Sequence, residues 1–203
     1  MPVHSVLFDL DGTLTVPLLD FDLIRRQIGL PPDCPSILAA IEKLPETHRQ
    51  RAWEILCSHE EHAAVHSALQ PSAKPLLEYL RQKNIKTGIL TRNSRQSTQT
   101  VLAKHRLTVD GMITREDGPP KPDPFGVLAL CRLFRSSPQN TLVVGDFLHD
   151  LQAARQAGAP AVLFKSHPRA DEFVPWADFV IHSLDEIRLI IDNLSDKLEG
   201  NHR

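Results

Sequence analysis

The sequence of 203 residues has no long hydrophobic run and few cysteines. No segment approaches the roughly 20 apolar residues that a membrane-spanning helix requires. The N-terminus lacks a basic region followed by a long apolar segment, so we expect no signal peptide. The three cysteines, Cys34, Cys57 and Cys131, are odd in number and far apart. They therefore predict reduced thiols of a cytoplasmic protein, and neither a disulfide framework nor a zinc site.

An excess of charge of one sign is also missing, because 23 Lys and Arg residues nearly balance 25 Asp and Glu residues. The formal net charge of −2 gives no electrostatic basis for binding nucleic acid or a membrane surface. Aromatic residues make up only 5% of the chain and do not alternate with basic residues. The apolar content of 41% is ordinary for a globular protein. The length predicts one domain, or one domain with an insertion.

Short apolar runs and amphipathic segments alternate along most of the chain. The apolar runs predict strands near residues 4–8, 86–90, 141–145, 160–164 and 178–181. Helical patterns separate them, from Ser72 to Lys83, Ser94 to about His105, Asp123 and Pro124 to Phe134, Asp150 to Ala157, and Ser183 onwards. This alternation predicts an α/β fold with a Rossmann-like parallel sheet and helices on both faces. We expect the polar residues 195–203 to fray.

Residues 17–70 interrupt the alternation, because they contain no convincing strand. Helical stretches near 21–28, 35–43 and 46–68 are separated by Pro31, Pro32 and Pro45. An all-helical insertion directly after the first strand would lie above the carboxyl end of the sheet. We therefore predict a small helical cap, residues 17–70, inserted into a core domain formed by residues 1–16 and 71–203.

Two acidic residues, Asp9 and Asp11, follow the first predicted strand. The carboxyl ends of parallel strands are where ligands bind in open α/β sheets. Because side chains alternate along a strand, the two carboxylates point the same way unless the turn intervenes. Like charges this close require a divalent metal, a shared proton or both. Gly12 would let the backbone turn at positive φ and approach a ligand closely.

Polar residues also follow two other predicted strands, and a lysine lies within a proline-rich loop. Thr91 and Arg92 come directly after the apolar pair Ile89 and Leu90. Lys121 lies among prolines, where a lysine is usually only solvated. Asp146 follows Gly145 at the end of the run 142–144, and Asp150 lies four residues further on.

These four segments, in this order, resemble the four motifs of the haloacid dehalogenase superfamily. The helical insertion between the first two motifs resembles the cap of the phosphoglycolate phosphatase branch. The resemblance implies a phosphatase in which Asp9 attacks phosphorus to form an aspartyl phosphate and Asp11 acts as general acid and base. It also implies that Thr91 donates its hydroxyl to the phosphate and that Lys121 neutralises phosphate charge.

The same resemblance implies a Mg²⁺ cofactor. It assigns the metal to the Asp9 side chain, the Asp11 backbone carbonyl and the Asp146 carboxylate, a ligand set of the kind that Mg²⁺ prefers. Asp150 would hold a metal-bound water or Lys121. An acidic residue at the start of a helix is an equally good interpretation of Asp150.

The substrate expected from this resemblance is a small phosphorylated metabolite. Arg92 replaces the smaller residue often found after the motif threonine, so it either contacts substrate or points to solvent. Arg25 and Arg26, on the first cap helix, are candidates for binding an anionic substrate, although solvated charge is the default. His59, His62 and His66 share one helix face by their spacing, for which we favour a polar cap surface over a metal site.

Two other functions stay open. A phosphomutase of the same superfamily would reuse the aspartyl phosphate, and nothing in the sequence excludes it. A non-catalytic binding or regulatory protein can occupy the same fold, because fold does not fix function. All four motifs are intact, which argues against this last alternative. A dehalogenase is disfavoured, since it needs neither a metal nor an acid at Asp11. The oligomeric state is not predicted.

Overall fold

The computed structural model describes residues 2–199, which form a parallel sheet covered by helices on both faces. Within this range the sheet has six strands in the order β3-β2-β1-β4-β5-β6. The strands are β1 (Ser5–Phe8), β2 (Lys86–Leu90), β3 (Gly111–Ile113), β4 (Thr141–Gly145), β5 (Ala161–Phe164) and β6 (Phe179–Ile181). The predicted α/β fold with a Rossmann-like parallel sheet is confirmed. The strand order reverses beside β1 and β4, so ligands are expected at the carboxyl ends of these two strands.

Helices precede or follow each strand, and three of them interrupt the alternation after β1. The helices are α1 (Phe21–Ile28), α2 (Ile37–Glu42), α3 (Glu46–His66), α4 (Ala73–Gln82), α5 (Arg95–His105), α6 (Phe125–Phe134), α7 (Leu148–Ala157), α8 (Ala170–Phe173) and α9 (Glu186–Glu199). Short 3₁₀ turns cover Pro138–Asn140 and Val174–Trp176. No helix in the described range is long and apolar enough to cross a membrane.

Several helix ends follow directly from the sequence. The Ser94 hydroxyl caps α5 by accepting a hydrogen bond from the Ser97 N–H, and Gly158, at φ 76°, ends α7. The sequence misplaces the first residues of two other helices by two or three positions. Helix α7 begins at Leu148, which places Asp150 inside its first turn, and α9 begins at Glu186 instead of Ser183.

Two further differences concern the short strand β3 and the end of the chain. Strand β3 was missed because it has three residues and begins with glycine, so it carries no apolar run. The backbone of α9 is helical through Glu199, where the sequence had predicted fraying from residue 195; residues 200–203 lie outside the described range.

The core consists of two apolar clusters, one on each face of the sheet. Alternate residues of β1 divide between them, because Val6 and Phe8 join one cluster and Leu7 joins the other. Helices α4, α5 and α9 cover the first face, and α6, α7 and α8 cover the second. Strands β1 and β4, whose ends carry the predicted site, are buried along their whole length.

The helical insertion has its own apolar cluster, separate from the two sheet clusters. Its buried residues come from α1, α2 and the first half of α3, and they are Ile24, Ile37, Ile41, Ala52 and Leu56. The second half of α3 packs differently, because Ala64 belongs to the sheet cluster. Helix α3 thus connects the insertion to the sheet.

Candidate active site

Asp9 lies directly after β1 and makes a close ion pair. Its N–H donates to the carbonyl of Val144 on β4 at 2.9 Å, which fixes its backbone between two strands. Its Oδ1 accepts a hydrogen bond from Lys121 Nζ at 2.6 Å, and the same ammonium also donates to Asp150. The side chains of Lys121 and Asp9 are 4% and 12% exposed. The Lys121 ammonium thus bridges two carboxylates.

Three carboxylates converge at this edge of the sheet. One oxygen from each of Asp9, Asp146 and Asp150 lies within 4.8 Å of the others. Gly12, at φ 89°, makes this close approach possible, because a Cβ there would lie 2.3 Å from Asp146 Oδ2. Metal ions are held by His, Cys, Asp or Glu side chains. Among the described residues, these three carboxylates are the one set of such side chains whose ligand atoms lie close enough together to hold a metal.

The electrostatics of these carboxylates show an excess of negative charge. Burial is the main cause that raises the pKa of Asp146 to about 8, and the neighbouring carboxylates, led by Asp9, contribute to this shift. Burial also raises the pKa of Asp9 to about 6, although Lys121 opposes the shift. Burial alone would lower the pKa of Lys121, but Asp150 and Asp9 outweigh it and raise that pKa. A divalent cation would compensate the remaining charge, so the oxygen donors fit Mg²⁺.

Asp11 is not part of the three-carboxylate group, but it lies close enough to respond to it. Burial, with a smaller contribution from the charge of Asp9, raises the pKa of Asp11 to about 7 against the opposing effect of a hydrogen bond from the Leu18 N–H. A carboxyl group that keeps its proton near neutral pH can donate that proton to a leaving group. The environment of Asp11 is thus suited to acid–base chemistry.

Thr91 and Arg92 follow β2 on the other side of β1. The Thr91 N–H donates to the Ile113 carbonyl at 3.0 Å, and its hydroxyl accepts from the Asn93 N–H at 3.1 Å. The hydrogen of the Thr91 hydroxyl can therefore be donated to a ligand. Thr91 is only 4% exposed.

The Arg92 side chain reaches from the end of β2 to the helical insertion. Its Nη2 donates to Ser36 Oγ at 2.7 Å, directly before α2. Burial lowers the pKa of Arg92, while Asp150 and Asp9 counteract the shift. The guanidinium therefore interacts electrostatically with both carboxylates and is largely removed from solvent. A role for Arg92 in substrate binding stays a prediction.

The two other arginines proposed for substrate binding lie on α1 of the helical insertion. Arg25 donates to the Asp22 carboxylate at 2.9 Å and to the Cys34 carbonyl at 3.2 Å, and Arg26 is exposed. A role for Arg25 in substrate binding stays a prediction.

The three cap histidines lie on the cap surface. The ring of His62 stacks on that of His66 at 4.2 Å, while His59 contacts the side chain of Gln27 at 2.7 Å. His62 and His66 are exposed, which agrees with a polar surface.

Sequence reasoning missed two serines that contact site residues. Ser36 caps α2 and bonds Arg92, and Ser166, after β5, donates to the Gly12 carbonyl at 2.6 Å. Neither has a motif around it. The available signal was their position, which is after β5 for Ser166 and directly before α2 for Ser36, because both positions face the carboxyl end of the sheet.

Comparisons with known proteins agree with this geometry. A family model of haloacid dehalogenase-like hydrolases matches residues 3–158. An uncharacterized hydrolase of Saccharomyces cerevisiae is 30% identical over 95% of this chain and 93% of its own length. A phosphoglycolate phosphatase of Chromobacterium violaceum is 26% identical over 94% of this chain and 97% of its own length. The crystal structure of a hydrolase from Pseudomonas syringae superposes with a TM-score of 0.75 at 24% identity, covering 93% and 98% of the two chains.

The chain therefore belongs to the haloacid dehalogenase-like hydrolases. The predicted family and the predicted hydrolase class are confirmed.

Proposed function

We propose that this protein is a Mg²⁺-dependent phosphatase that hydrolyses a small phosphate monoester through an aspartyl phosphate. The observation that carries the proposal is the contact of Asp9 with Lys121 inside the three-carboxylate group. Family membership supports the hydrolase class, and the names of relatives such as the phosphoglycolate phosphatase support the phosphate ester.

In the first step, an oxygen of the Asp9 carboxylate attacks phosphorus, and the bond from phosphorus to the ester oxygen breaks. Lys121 and the Thr91 hydroxyl would hold the phosphoryl oxygens, since both reach the same edge of the sheet. Asp11 would give its proton to the departing alcohol oxygen. Its pKa, raised to about 7 by burial and by Asp9, suits this donation.

In the second step, water replaces the substrate alcohol. Asp11, now deprotonated, would accept a proton from this water as its oxygen attacks phosphorus, and the bond to the Asp9 oxygen breaks. Inorganic phosphate leaves, and the carboxylate of Asp9 is restored. The Asp9, Asp11 and Asp146 positions would hold Mg²⁺, which would neutralise phosphoryl charge. Asp150, which receives a Lys121 hydrogen bond, would keep that ammonium in place.

We further propose that residues 17–70 act as the cap over this site and that the protein works in the cytoplasm, where thiols stay reduced. The separate apolar cluster of α1, α2 and α3 supports the cap assignment. A helical lid can exclude water before attack and supply contacts to the leaving group. A short cap favours a small phosphorylated metabolite.

An assay with a generic aryl phosphate and Mg²⁺ tests the proposal. We expect release of free phosphate from the wild-type protein and none from the Asp9→Asn variant. A phosphomutase would instead convert a sugar phosphate to its isomer without net release of phosphate. Phosphate release in the Asp9→Asn variant, with deamidation excluded, would contradict the proposed mechanism.

A further inference from the structure

A buried ion pair joins the cap to the core beside the predicted phosphate-binding loop. Arg115, which follows β3, donates from Nη1 to the Glu60 carboxylate on α3. The side chains of Arg115 and Glu60 are 8% and 2% exposed. A buried ion pair is costly to desolvate and is weak support for stability, so its presence here calls for another reason.

One face of α3 surrounds the Arg115 guanidinium. Trp53, Cys57 and Glu60 are spaced four and three residues apart, which places them on the same side of the helix. The Trp53 ring lies 5.1 Å from the guanidinium carbon, and Cys57 Sγ accepts from Nη2 at 3.3 Å. The planar guanidinium can serve these partners together, which the ammonium of a lysine cannot do.

The same two residues hold the backbone of the loop 91–94. Glu60 Oε2 accepts a hydrogen bond from the Ser94 N–H at 3.1 Å, at the start of α5. Arg115 Nη1 donates to the Arg92 carbonyl at 3.4 Å, and the Arg115 N–H donates to the Asn93 carbonyl at 3.3 Å. The loop that carries Thr91 and Arg92 is therefore bonded at three successive residues by Glu60 and Arg115.

We propose that Glu60 and Arg115 are positioning residues that hold the loop 91–94 in its phosphate-binding conformation and make this conformation depend on docking of the cap helix α3. The proposal rests on the function proposed above, because it assigns phosphate binding to this loop. Neither residue needs to touch the substrate. Their effect reaches the ligand through the Thr91 hydroxyl and the Arg92 guanidinium, whose backbone they fix.

The neighbouring residue Glu61 provides a matched control. It also joins α3 to α5, because Gln96 Nε2 donates to Glu61 Oε1 at 3.0 Å. Both of these residues are exposed, and neither bonds the loop backbone. Glu61→Gln thus removes the same charge from the same helix without touching the loop.

The experiment compares Glu60→Gln, Arg115→Lys, the double variant Glu60→Gln with Arg115→Met, and Glu61→Gln. For each variant we would measure KM and kcat with an aryl phosphate, the inhibition constant of inorganic phosphate, the thermal midpoint, and amide hydrogen exchange of the segment 91–96. Glu60→Gln leaves the buried Arg115 charge uncompensated, and Arg115→Lys keeps the charge but loses the planar guanidinium, so both single variants are expected to be less stable. The double variant removes both charges and is expected to regain stability.

If Glu60 and Arg115 position the loop, the inhibition constant of phosphate and KM rise about tenfold in the single and double variants, a loss of about 1.4 kcal/mol of binding free energy. Exchange of segment 91–96 becomes faster in the same variants, and kcat changes less than KM. The Glu61→Gln protein behaves as the wild type. A double variant that regains its thermal midpoint without regaining phosphate affinity would distinguish positioning of the loop from a purely structural role.

The proposal is overturned if the double variant recovers both stability and phosphate affinity, or if Glu61→Gln weakens phosphate binding equally. A failure of the proposed function has a different signature. In that case the wild-type protein itself releases no phosphate and binds none, whatever the exchange of segment 91–96 shows.

Discussion

The sheet and the cap differ in how they contribute to the site. The sheet fixes Asp9, Asp146 and Thr91 directly after buried strands, and backbone hydrogen bonds to neighbouring strands hold Asp9 and Thr91. The cap has its own apolar cluster and approaches the site through side chains, of which Ser36 contacts Arg92 and Glu60 contacts Arg115. Under the proposed function, the groups that every phosphate ester requires would lie at the strand ends, and the groups that distinguish one ester from another would lie where the sheet and the proposed cap meet.

Helix α3 belongs to both parts, so the division between the sheet and the proposed cap is incomplete. Its first half packs inside the cap, while its second half contacts α5 and the sheet cluster. At its end, Lys104 of α5 donates to the Val65 carbonyl at 2.7 Å and the Ser67 carbonyl at 2.6 Å. A cap joined to the core by a charged and polar surface can dock in one orientation without a large apolar interface. The following predictions test this division, beginning with the sheet.

The largest effect is expected for Asp9→Asn. An amide is a far weaker nucleophile than a carboxylate, so turnover should fall by a factor on the order of 10⁴ or more. The fold should persist, because the isosteric side chain leaves the backbone bond to Val144 in place. Phosphate release and circular dichroism would be measured on the same sample. Activity at the wild-type level would remove Asp9 from the mechanism.

Removing the metal should have nearly as large an effect. EDTA is expected to abolish activity, and added Mg²⁺ to restore it, because three carboxylates would lose their counter-charge. Asp146→Ala should raise the Mg²⁺ concentration needed for half-maximal activity or eliminate turnover. A titration of activity against Mg²⁺ checks this, with the exposed-site variant Asp22→Ala as control. Undiminished hydrolysis in EDTA would contradict the assignment.

Asp11→Asn should reduce turnover by about 10²–10⁴-fold, the usual range for loss of general acid–base catalysis. The step affected should differ from that in Asp9→Asn. With an aryl phosphate, whose leaving group departs without protonation, the variant keeps the nucleophile but cannot activate water, so a phosphoenzyme should accumulate. Rapid quenching and mass spectrometry would detect an added phosphoryl group on the peptide containing Asp9. Phosphorylation of another peptide would show that the nucleophile is elsewhere.

The parts of this molecule that could be predicted from the sequence are those set by local patterns. The apolar run of β1 followed by Asp9, Asp11 and Gly12 was sufficient to place two carboxylates at a strand end, and the structure places them there. The other long apolar runs predicted the remaining strands except β3. The core site residues belong to segments of this kind, which is why they were recognisable.

The contacts between sheet and cap could not be predicted in the same way. Glu60 looks like any acidic residue on a polar helix, and its burial depends on Arg115, which is 55 positions away. Similarly, the partner of Arg92 is Ser36, 56 positions away. Such pairs are created when the insertion docks, so no short-range pattern records them.

A smaller effect is expected on the stability of the metal-free protein. The pKa of Asp146 rises from 3.8 to about 8 and that of Asp11 from 3.8 to about 7, burial being the main cause of both shifts. The folded state therefore binds more protons than the unfolded state between these values, and stability falls as pH rises from about 4 to about 8. In EDTA the thermal midpoint should be lower at about pH 8 than at about pH 5.

Adding Mg²⁺ should raise the midpoint more at the higher pH, since the carboxylates are then ionised. The variant Asp146→Asn should reduce the pH slope in EDTA, because one of the titrating groups is gone. Asp22→Asn, on the exposed surface of α1, serves as the comparison. Equal slopes in the wild type and in Asp146→Asn would show that this carboxylate does not titrate in the window.

The smallest effect separates the two arginines that the sequence offered for substrate recognition. Arg92 donates a hydrogen bond to Ser36 and interacts electrostatically with Asp9 and Asp150. Arg25, in contrast, donates to Asp22 and to the Cys34 carbonyl within the helical insertion. Arg92→Ala is therefore expected to raise KM about tenfold for phosphate esters that carry a second negative charge, and less for an uncharged aryl phosphate. Arg25→Ala should change neither value by more than about twofold, because its guanidinium is bonded to Asp22 and to the Cys34 carbonyl and not to the core. KM values for the two substrate types, measured side by side, test this. If Arg25→Ala selectively weakens the doubly charged esters and Arg92→Ala does not, leaving-group recognition belongs to the cap alone.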